Sequence, residues 1–326
     1  MLKFKITAAA LLFSCSFLST ADNTNERREA FVKAQLKKGY SRKEVDLFLK
    51  PAKKNKVVLD AIQRPWEAKP WHQYYPIFIT DKRINAGVKF WKKNKKHITR
   101  ASKEFNVDPE IIVSIIGVET FFGQHMGDFK VIDALYSLGF YYPPRAKFFS
   151  SELGYFMDLI KDGNLTANTK GSYAGAIGYG QFIPSSYISY AVDFNGDGKK
   201  NLMNQIDAIG SVANYFTKHR WKKGEPVAYK IKAPIDTKKI DKLLWDRDPP
   251  SKTLSEWRKL GVQPNTTDKL DPNNKAIIFK LEEKNTNEYW IGLNNFYVIT
   301  RYNHSQLYAM AVFELSKKIK QAYKKS

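Results

Sequence analysis

The chain has one cysteine in 326 residues, Cys15, so no intrachain disulfide can brace its fold. It has no single basic arm. Lys+Arg outnumber Asp+Glu by 54 to 32, for a net charge of +22, yet the lysines fall in short scattered runs such as Lys53-Lys54, Lys92-Lys93, Lys95-Lys96 and Lys317-Lys318. A charge of this size suggests nucleic acid, membrane or another polyanion. Its dispersal argues against a nucleic-acid arm and makes most of it a solvated surface. No internal repeats are apparent, and the one long apolar stretch, Ile6 to Leu18, is too short to cross a bilayer as a mature helix. What is present is a folding composition: 43% hydrophobic and 14% aromatic residues exclude a disordered chain. The length suits one large domain or roughly two to three smaller ones.

The apolar stretch has another use. "MLKFK" is a basic n-region, and Ser19-Thr20-Ala21 before Asp22 is a small-residue cleavage signal, so residues 1–21 read as an export signal. Cleavage after Ala21 leaves a chain without cysteine. "LFSC", Leu12 to Cys15, also resembles a bacterial lipobox, in which the signal ends before Cys15 and that residue carries the lipid. Both readings deliver the chain beyond the inner membrane and argue against a cytoplasmic nucleic-acid role.

The rest divides into four parts and reads as mainly α, with a minor β component (α+β). Residues 22–100 are helical, broken by "RPWEAKPWHQYYP" (Arg64 to Pro76). Residues 101–223 are the least interrupted helical region and hold nearly every candidate for chemistry. In 224–290, "VAYKIKAP" alternates and "AIIFKLEE" is a short apolar run between Asn/Thr/Pro/Lys clusters, which predicts a small strand-containing insertion. Residues 291–326 return as a strand and helix, with a stripe at Leu307, Met310, Phe313 and Ile319 and Asn303 or Ser305 as N-cap.

One stretch poses a chemical question. "IIVSIIGVETFFG", Ile111 to Gly123, places Glu119 inside one of the most apolar segments. Asp108-Pro109-Glu110 before it is a helix start, with an N-cap oxygen, a proline at the first position and an acid that complements the dipole. Ile111, Ile112, Val113, Ile115, Ile116 and Val118 leave no polar face. Glu119 then has Ile115, Ile116 and Phe122 as neighbours, which raises its pKa and suits it to general acid work. The alternative places Glu119 at a frayed helix end, reaching water past Gly123.

Two loops come next. In "GSYAGAIGYGQFIPSSY", Gly171 to Tyr187, the glycines are spaced loosely like a phosphate loop, but no Gly-Lys-Ser/Thr comes after them. Gly175, Gly178 and Gly180 could instead let a ligand approach the backbone, with Ser172, Tyr173, Tyr179 and Gln181 as a polar and aromatic lining suited to a sugar. The alternative is a tight turn between helices. "DFNGDGKKNLMN", Asp193 to Asn204, starts like a calcium loop, with Asp193, Asn195, Asp197 and Gly198 at positions 1, 3, 5 and 6. Lys199 can offer its carbonyl. Position 12 is Asn204 rather than Glu, so Asp207 is the next carboxylate able to close a longer loop. The alternative is a surface turn.

"GVETFFG", "GSYAGAIGYGQFIPSSY", "DFNGDGKKNLMNQIDAIGSVANYF" and "NFYVITRYNHSQLYAMAV" occur in the order and spacing of the membrane-bound lytic murein transglycosylase B family, which the chain resembles from about Phe31 onward. The resemblance is strong outside 22–100 and 224–290. It implies a lysozyme-like helical core flanked by a helical domain and a small β domain. It also implies cleavage of the β-1,4 bond between N-acetylmuramic acid and N-acetylglucosamine in peptidoglycan, leaving 1,6-anhydromuramic ends. Glu119 would be the single general acid and base.

The resemblance further implies that Ser172, Gln181, Tyr215, Tyr302, Asn303 and Tyr308 line the substrate groove. Arg145 would meet carboxylates of the muramyl unit, with Pro144 where the family has a second arginine. Calcium, held by Asp193, Asn195, Asp197, Lys199 and Asp207, would be structural, and no catalytic cofactor is expected. The expected location is the periplasm of a Gram-negative bacterium, soluble or lipid-anchored to the outer membrane. Expected partners are glycan strands and other cell-wall enzymes, not nucleic acid. Two other functions stand beside this one: a hydrolytic muramidase with a second acid such as Asp128 or Asp133, and a non-catalytic cell-wall-binding protein.

Overall fold

Local signals in the sequence start several of the helices that lead into the core. The structure, a computed structural model, describes residues 20–63, 69–233 and 236–326; Cys15 and the choice between cleavage and lipidation lie outside the described residues. After α1 (Thr20–Lys37), Ser41 and Glu44 form a reciprocal capping box at α2 (Arg42–Leu49). Asn55 caps α3 (Lys56–Ala61). Then come α4 (Trp71–Phe78), α5 (Asp81–Lys93), capped by Thr80, and α6 (Lys95–Glu104). These helices do not form a core of their own. Phe31 of α1 packs edge-on against Phe140, and Val58, Phe90, Trp91 and Ile98 belong to the same buried cluster as residues beyond 100. Backbone N–H groups of Lys53 and Asn55 donate to the Asp133 carboxylate (2.8 Å) and the Ser137 hydroxyl (2.7 Å).

The centre of the molecule is α7 (Pro109–Thr120). Ile111, Ile112, Val113, Ile115 and Ile116 are all buried, because α5, α6, α11 and α15 surround it. Its missing polar face results from that position. Of the helices after it, α11 (Gln205–Lys218) packs directly on α7, while α8 (Val131–Tyr141), α9 (Ala146–Lys161) and α10 (Pro184–Tyr190) extend the core, α8 and α10 against α9 and α10 against α11. A two-residue pairing, β1 (Phe129–Lys130) with β2 (Lys170–Gly171), precedes the glycine-rich loop.

The start of α7 departs from expectation. Asp108 stands at the N-cap position without a side-chain cap bond. Its carboxylate instead accepts from the Trp221 indole (2.9 Å) and the Gly224 N–H (3.1 Å), tying the end of the helical region to its start. Glu110 is buried and pairs with the Lys320 ammonium (2.5 Å).

Residues 224–290 contain short helices α12 (Thr237–Ile240) and α13 (Leu254–Lys259) and most of a four-stranded antiparallel sheet. Its strands are β3 (Ala228–Lys230), β4 (Lys252–Thr253), β5 (Lys275–Glu282) and β6 (Asn287–Gly292), in the order β3-β6-β5-β4. Both faces of β5 are covered. Ile277, Phe279 and Leu281 join the main core, while Ala276 and Ile278 join a small cluster with Leu254, Trp257 and Ile291. That double burial explains why "AIIFKLEE" reads as a continuous apolar run. Phe279 stacks on Phe296 of α14 (Asn294–Tyr302), centroids 4.3 Å apart. Finally α15 (Gln306–Lys324), capped by Ser305, lays Met310, Leu315 and Ile319 against the core.

Phe279 is thus the contact that joins sheet to helices. Phe279→Ala is expected to cost about 3–5 kcal/mol, the usual cost of emptying a buried aromatic site; urea unfolding that changes by less than about 1 kcal/mol would show that the sheet is not held this way.

Candidate active site

Glu119 lies in the last turn of α7, one residue before the helix ends. The ending is abrupt. The N–H of Phe121 donates to Gly117 and that of Phe122 to Ile116, both at 3.2 Å, and both phenylalanines sit in the left-handed region with φ of 50° and 60°. Non-glycine residues occupy that region at a cost and persist there when surroundings enforce it. Thr120, fully buried, donates to the carbonyls of Ile116 (3.2 Å) and Tyr179 (3.0 Å) and accepts from the Gly123 N–H (3.0 Å). Gly123, at φ 91°, leaves room for the Tyr179 ring, which an added Cβ would meet at 2.1 Å.

Both sequence readings of Glu119 hold in part. It is near the helix end and half-buried, yet burial pushes its pKa up from 4.5 to about 7, and a hydrogen bond from the Tyr308 hydroxyl (2.5 Å to Oε1) only partly opposes this. The negative end of the α7 dipole acts in the same direction as burial. Tyr302 and Tyr308 are themselves held well above the ordinary phenol pKa, first by burial and then by the Glu119 charge. Tyr308 is therefore a neutral donor at any working pH. With Oε1 taken, the carboxyl proton of Glu119 belongs on Oε2.

The glycine-rich loop comes alongside through Tyr179. Its glycines make room for protein rather than ligand, contrary to the sugar-approach reading. Gly178, at φ 74°, brings the backbone against Leu202, whose carbonyl an added Cβ would meet at 2.2 Å, and a Cβ on Gly175 would strike Leu135 at 2.5 Å. Ser172 Oγ accepts from Ala174 (3.2 Å) and Ala176 (3.1 Å) N–H groups, so it shapes the turn. Gln181, left-handed at φ 51°, donates its amide to Met126 (3.2 Å) and Gly178 (2.9 Å) carbonyls.

The structure brings Tyr302, Tyr308 and Glu119 into one cluster. Tyr302 stacks parallel to Tyr308 at 6.5 Å and donates to the Gly180 carbonyl (2.5 Å). Tyr215 is one layer deeper: buried, edge-on to Tyr302 at 4.7 Å, its hydroxyl committed to the Arg301 carbonyl (2.5 Å). Asn303 accepts from Ser305 N–H (3.1 Å) and lines an adjacent cleft. Arg145 is not joined to this cluster by any hydrogen bond among the described residues. It is exposed at the start of α9, its guanidinium over Phe148 (4.4 Å). Of the proposed second acids, Asp133 is engaged with the Lys53 N–H, Asp128 is exposed, and neither is among the groups that shift Glu119.

Sequence reasoning misses Thr120 and Arg83. The half-buried Arg83 guanidinium lies over Phe78 and Phe121, each at 5.0 Å, donates to the Ile77 carbonyl, and has no carboxylate partner among the described residues. No spacing pattern marks Arg83, because it meets α7 only through the fold.

In the aspartate-rich loop, carboxylate oxygens of Asp193, Asp197 and Asp207 lie within 4.8 Å of one another. Asp207, on the first turn of α11, is fully buried and accepts from Phe194 (2.9 Å), Asn195 (3.0 Å) and Asn201 (2.8 Å) N–H groups. Asn204 caps α11 through the Ile206 N–H, so it does not serve as the twelfth-position ligand. Asn195 accepts from the Asp197 N–H (3.0 Å), and the Lys199 N–H donates to Asp197 (2.9 Å). Converging hard oxygens on a loop of this kind fit a calcium ion.

The chain matches the model of the transglycosylase SLT domain over residues 23–317. It is 40% identical over 307 residues to membrane-bound lytic murein transglycosylase B of Escherichia coli K12, a match spanning 90% of this chain and 83% of that protein. Among solved structures it superimposes on the catenated lytic transglycosylase SltB1 of Pseudomonas aeruginosa with a TM-score of 0.84 at 43% identity, covering 91% of this chain and 98% of that one. It superimposes on the E. coli lytic transglycosylase Slt35 in complex with calcium with a TM-score of 0.78 at 39% identity, covering 91% and 93%. The fold is the mainly helical, lysozyme-like one expected from the sequence.

The raised carboxyl has a consequence for stability. A folded pKa of about 7 against an ordinary 4.5 means that folding takes up a proton between those values. The favourable contribution is complete below about pH 4.5 and is lost as pH rises through about 7. Glu119→Gln carries no charge to desolvate, so it is expected to exceed wild-type stability by up to ~3 kcal/mol near pH 8, with the gap closing near pH 4.5. Urea melts at the two pH values check this; a variant no more stable at the higher pH would contradict the burial of an ionisable Glu119.

Proposed function

The chain belongs to the transglycosylase SLT domain family, and on that premise we propose that it is a peptidoglycan lytic transglycosylase with Glu119 as its single general acid and base. The bond cleaved is the β-1,4 link between N-acetylmuramic acid and N-acetylglucosamine. One observation carries the assignment: a carboxyl raised to about 7, gripped on one oxygen by Tyr308, with no second carboxylate among the described residues acting on it.

In this reading Glu119 Oε2–H protonates the glycosidic oxygen as the bond to muramic C1 breaks and an oxocarbenium-like centre develops. The carboxylate then left is favoured by the Tyr308 hydrogen bond. It removes the proton of the sugar's own C6 hydroxyl, which attacks C1 and closes the 1,6-anhydro ring. That nucleophile is held in the same molecule, so its effective concentration is high. A water-activating partner, as inverting two-carboxylate glycosidases require, is not needed. Ser172, Gln181, Tyr302 and Asn303 line the groove in this proposal, Tyr215 supports Tyr302 from below, and Arg145 contacts the substrate farther from the acid.

The proposed setting is the periplasm, soluble or anchored to the outer membrane through Cys15. No helix of the described residues is long and apolar enough to cross a membrane.

Glu119→Gln is expected to lose at least ~10² in the rate of glycan cleavage while remaining folded, the usual scale for a removed acid/base. Mass spectrometry of sacculus digests by the wild type should find anhydromuramic ends. Reducing muramic ends would favour a hydrolase, and near wild-type turnover by the variant would remove Glu119 from the mechanism.

Calcium is proposed as a structural ligand of Asp193, Asn195, Asp197, Asp207 and the Lys199 carbonyl. Binding only the folded state, it would stabilise by ~2.7 kcal/mol at a hundredfold excess over its dissociation constant. Thermal melts should rise with calcium more than with magnesium, and the rise should vanish in Asp197→Ala. A wild-type melt indifferent to calcium would make the loop only a turn.

A further inference from the structure

A cleft of about 690 Å³ opens at the start of α15, the helix that carries Tyr308, between the start of α4, strand β5, the 244–247 loop and residues 303–307. Lys69, Arg247 and Lys280 line it with Trp71 and Trp245, and Glu282 is the acid among them. None of these groups has a part in the proton transfers of Glu119. The walls of the cleft are fastened. Trp245 donates its backbone N–H to Ile278 (2.7 Å) and its indole N–H to Asp248 (2.7 Å), and between them Arg247 takes φ 83°, a conformation that side chains rarely adopt without enforcement. Gln306 donates to the Lys280 carbonyl (2.8 Å), tying β5 to the turn that carries Tyr308.

The charge of the cleft is unbalanced. Asp241 offsets Lys280 at 3.6 Å, but Arg247 has no acid partner among the described residues. Its charge is felt at His304, whose pKa is depressed first by burial and then by Arg301 and Arg247. An arginine fork with no carboxylate partner among the described residues, in a cleft that two tryptophans also line, suits a short peptide that brings its own carboxylates. The glycan ring system has no such charge beyond the muramic lactyl group.

We propose that this cleft seats the carboxylate-bearing peptide branch of the glycan strand, with Arg247 as its main charge partner. The proposal rests on the reading of the chain as a peptidoglycan-cleaving enzyme and adds what that enzyme selects. Arg145, expected from the sequence to meet such carboxylates, is exposed, stacked on Phe148 and preceded by Pro144; the cleft supplies the cation that Pro144 does not.

The test compares Arg247→Glu with wild type on sacculus-derived strands that keep their peptides and on strands stripped by an amidase, which retain the lactyl carboxylate. The ratio of KM on peptide-bearing strands to KM on stripped strands is expected to rise about tenfold, as for a lost charged contact. A ratio that stays at the wild-type value, whether both substrates respond or neither does, overturns the proposal. Titration of muramyl dipeptide into Glu119→Gln, with and without Arg247→Glu, separates this question from turnover. Weaker binding by the double variant supports the cleft even if wild type cleaves nothing, in which case the functional reading fails instead. Equal binding by the two variants overturns the cleft.

Discussion

The interaction on which the rest depends is the desolvation of one carboxyl group at the end of an apolar helix. Packing α7 on every side gives the core its centre, and the same packing withholds water from Glu119. Charging it there is costly, so its proton stays on near neutral pH. Had α7 run one more turn, the acid would sit mid-helix with no access for a substrate. The left-handed pair Phe121-Phe122 ends the helix and leaves Glu119 half-buried, accessible and still raised in pKa.

Elements distant in sequence hold this arrangement through a short relay. Asp207 organises the aspartate-rich loop by accepting three backbone N–H groups. The Leu202 carbonyl of that loop accepts from Tyr179 (3.0 Å), and the Tyr179 carbonyl accepts from Thr120, the neighbour of Glu119. A cation in the loop would thus steady the backbone beneath the acid without entering the chemistry. From the opposite side α15 brings Tyr308 to the same carboxyl, and the Lys320–Glu110 pair anchors α15 to the first turn of α7. The sheet, sharing Phe279 with the main core, fixes one wall of the cleft next to that turn.

Much of this arrangement is legible along the chain. The apolar run of α7 announces a buried helix, the Asp/Asn/Gly spacing announces a loop of converging carboxylates, and Ser305, one of two candidate caps, starts α15. Other signals mislead because they depend on partners. Asp108 has the residue type and position of an N-cap, but Trp221 and Gly224 compete for its oxygens. The glycines of the loop after Gly171 look like a cradle for a ligand, yet Leu135 and Leu202 occupy that space. The sequence also does not say where the helices before residue 100 dock; Phe31 on Phe140 is one such contact.

By itself the sequence determined the features set by neighbours along the chain: helix periodicity, caps, loop chemistry, an acid set among isoleucines and the motifs of a family. Only the tertiary structure decided which groups face one another. It gave Glu119 its tyrosine and no second carboxylate among the described residues, set Tyr215 edge-on beneath Tyr302, and left Arg247 without an acid partner among the described residues. The physical reason is range. Propensity and periodicity act over a few residues, whereas a pKa, a hydrogen bond or an unbalanced charge is fixed by atoms within a few ångströms, which for Glu119 and Tyr308 come from segments 189 residues apart.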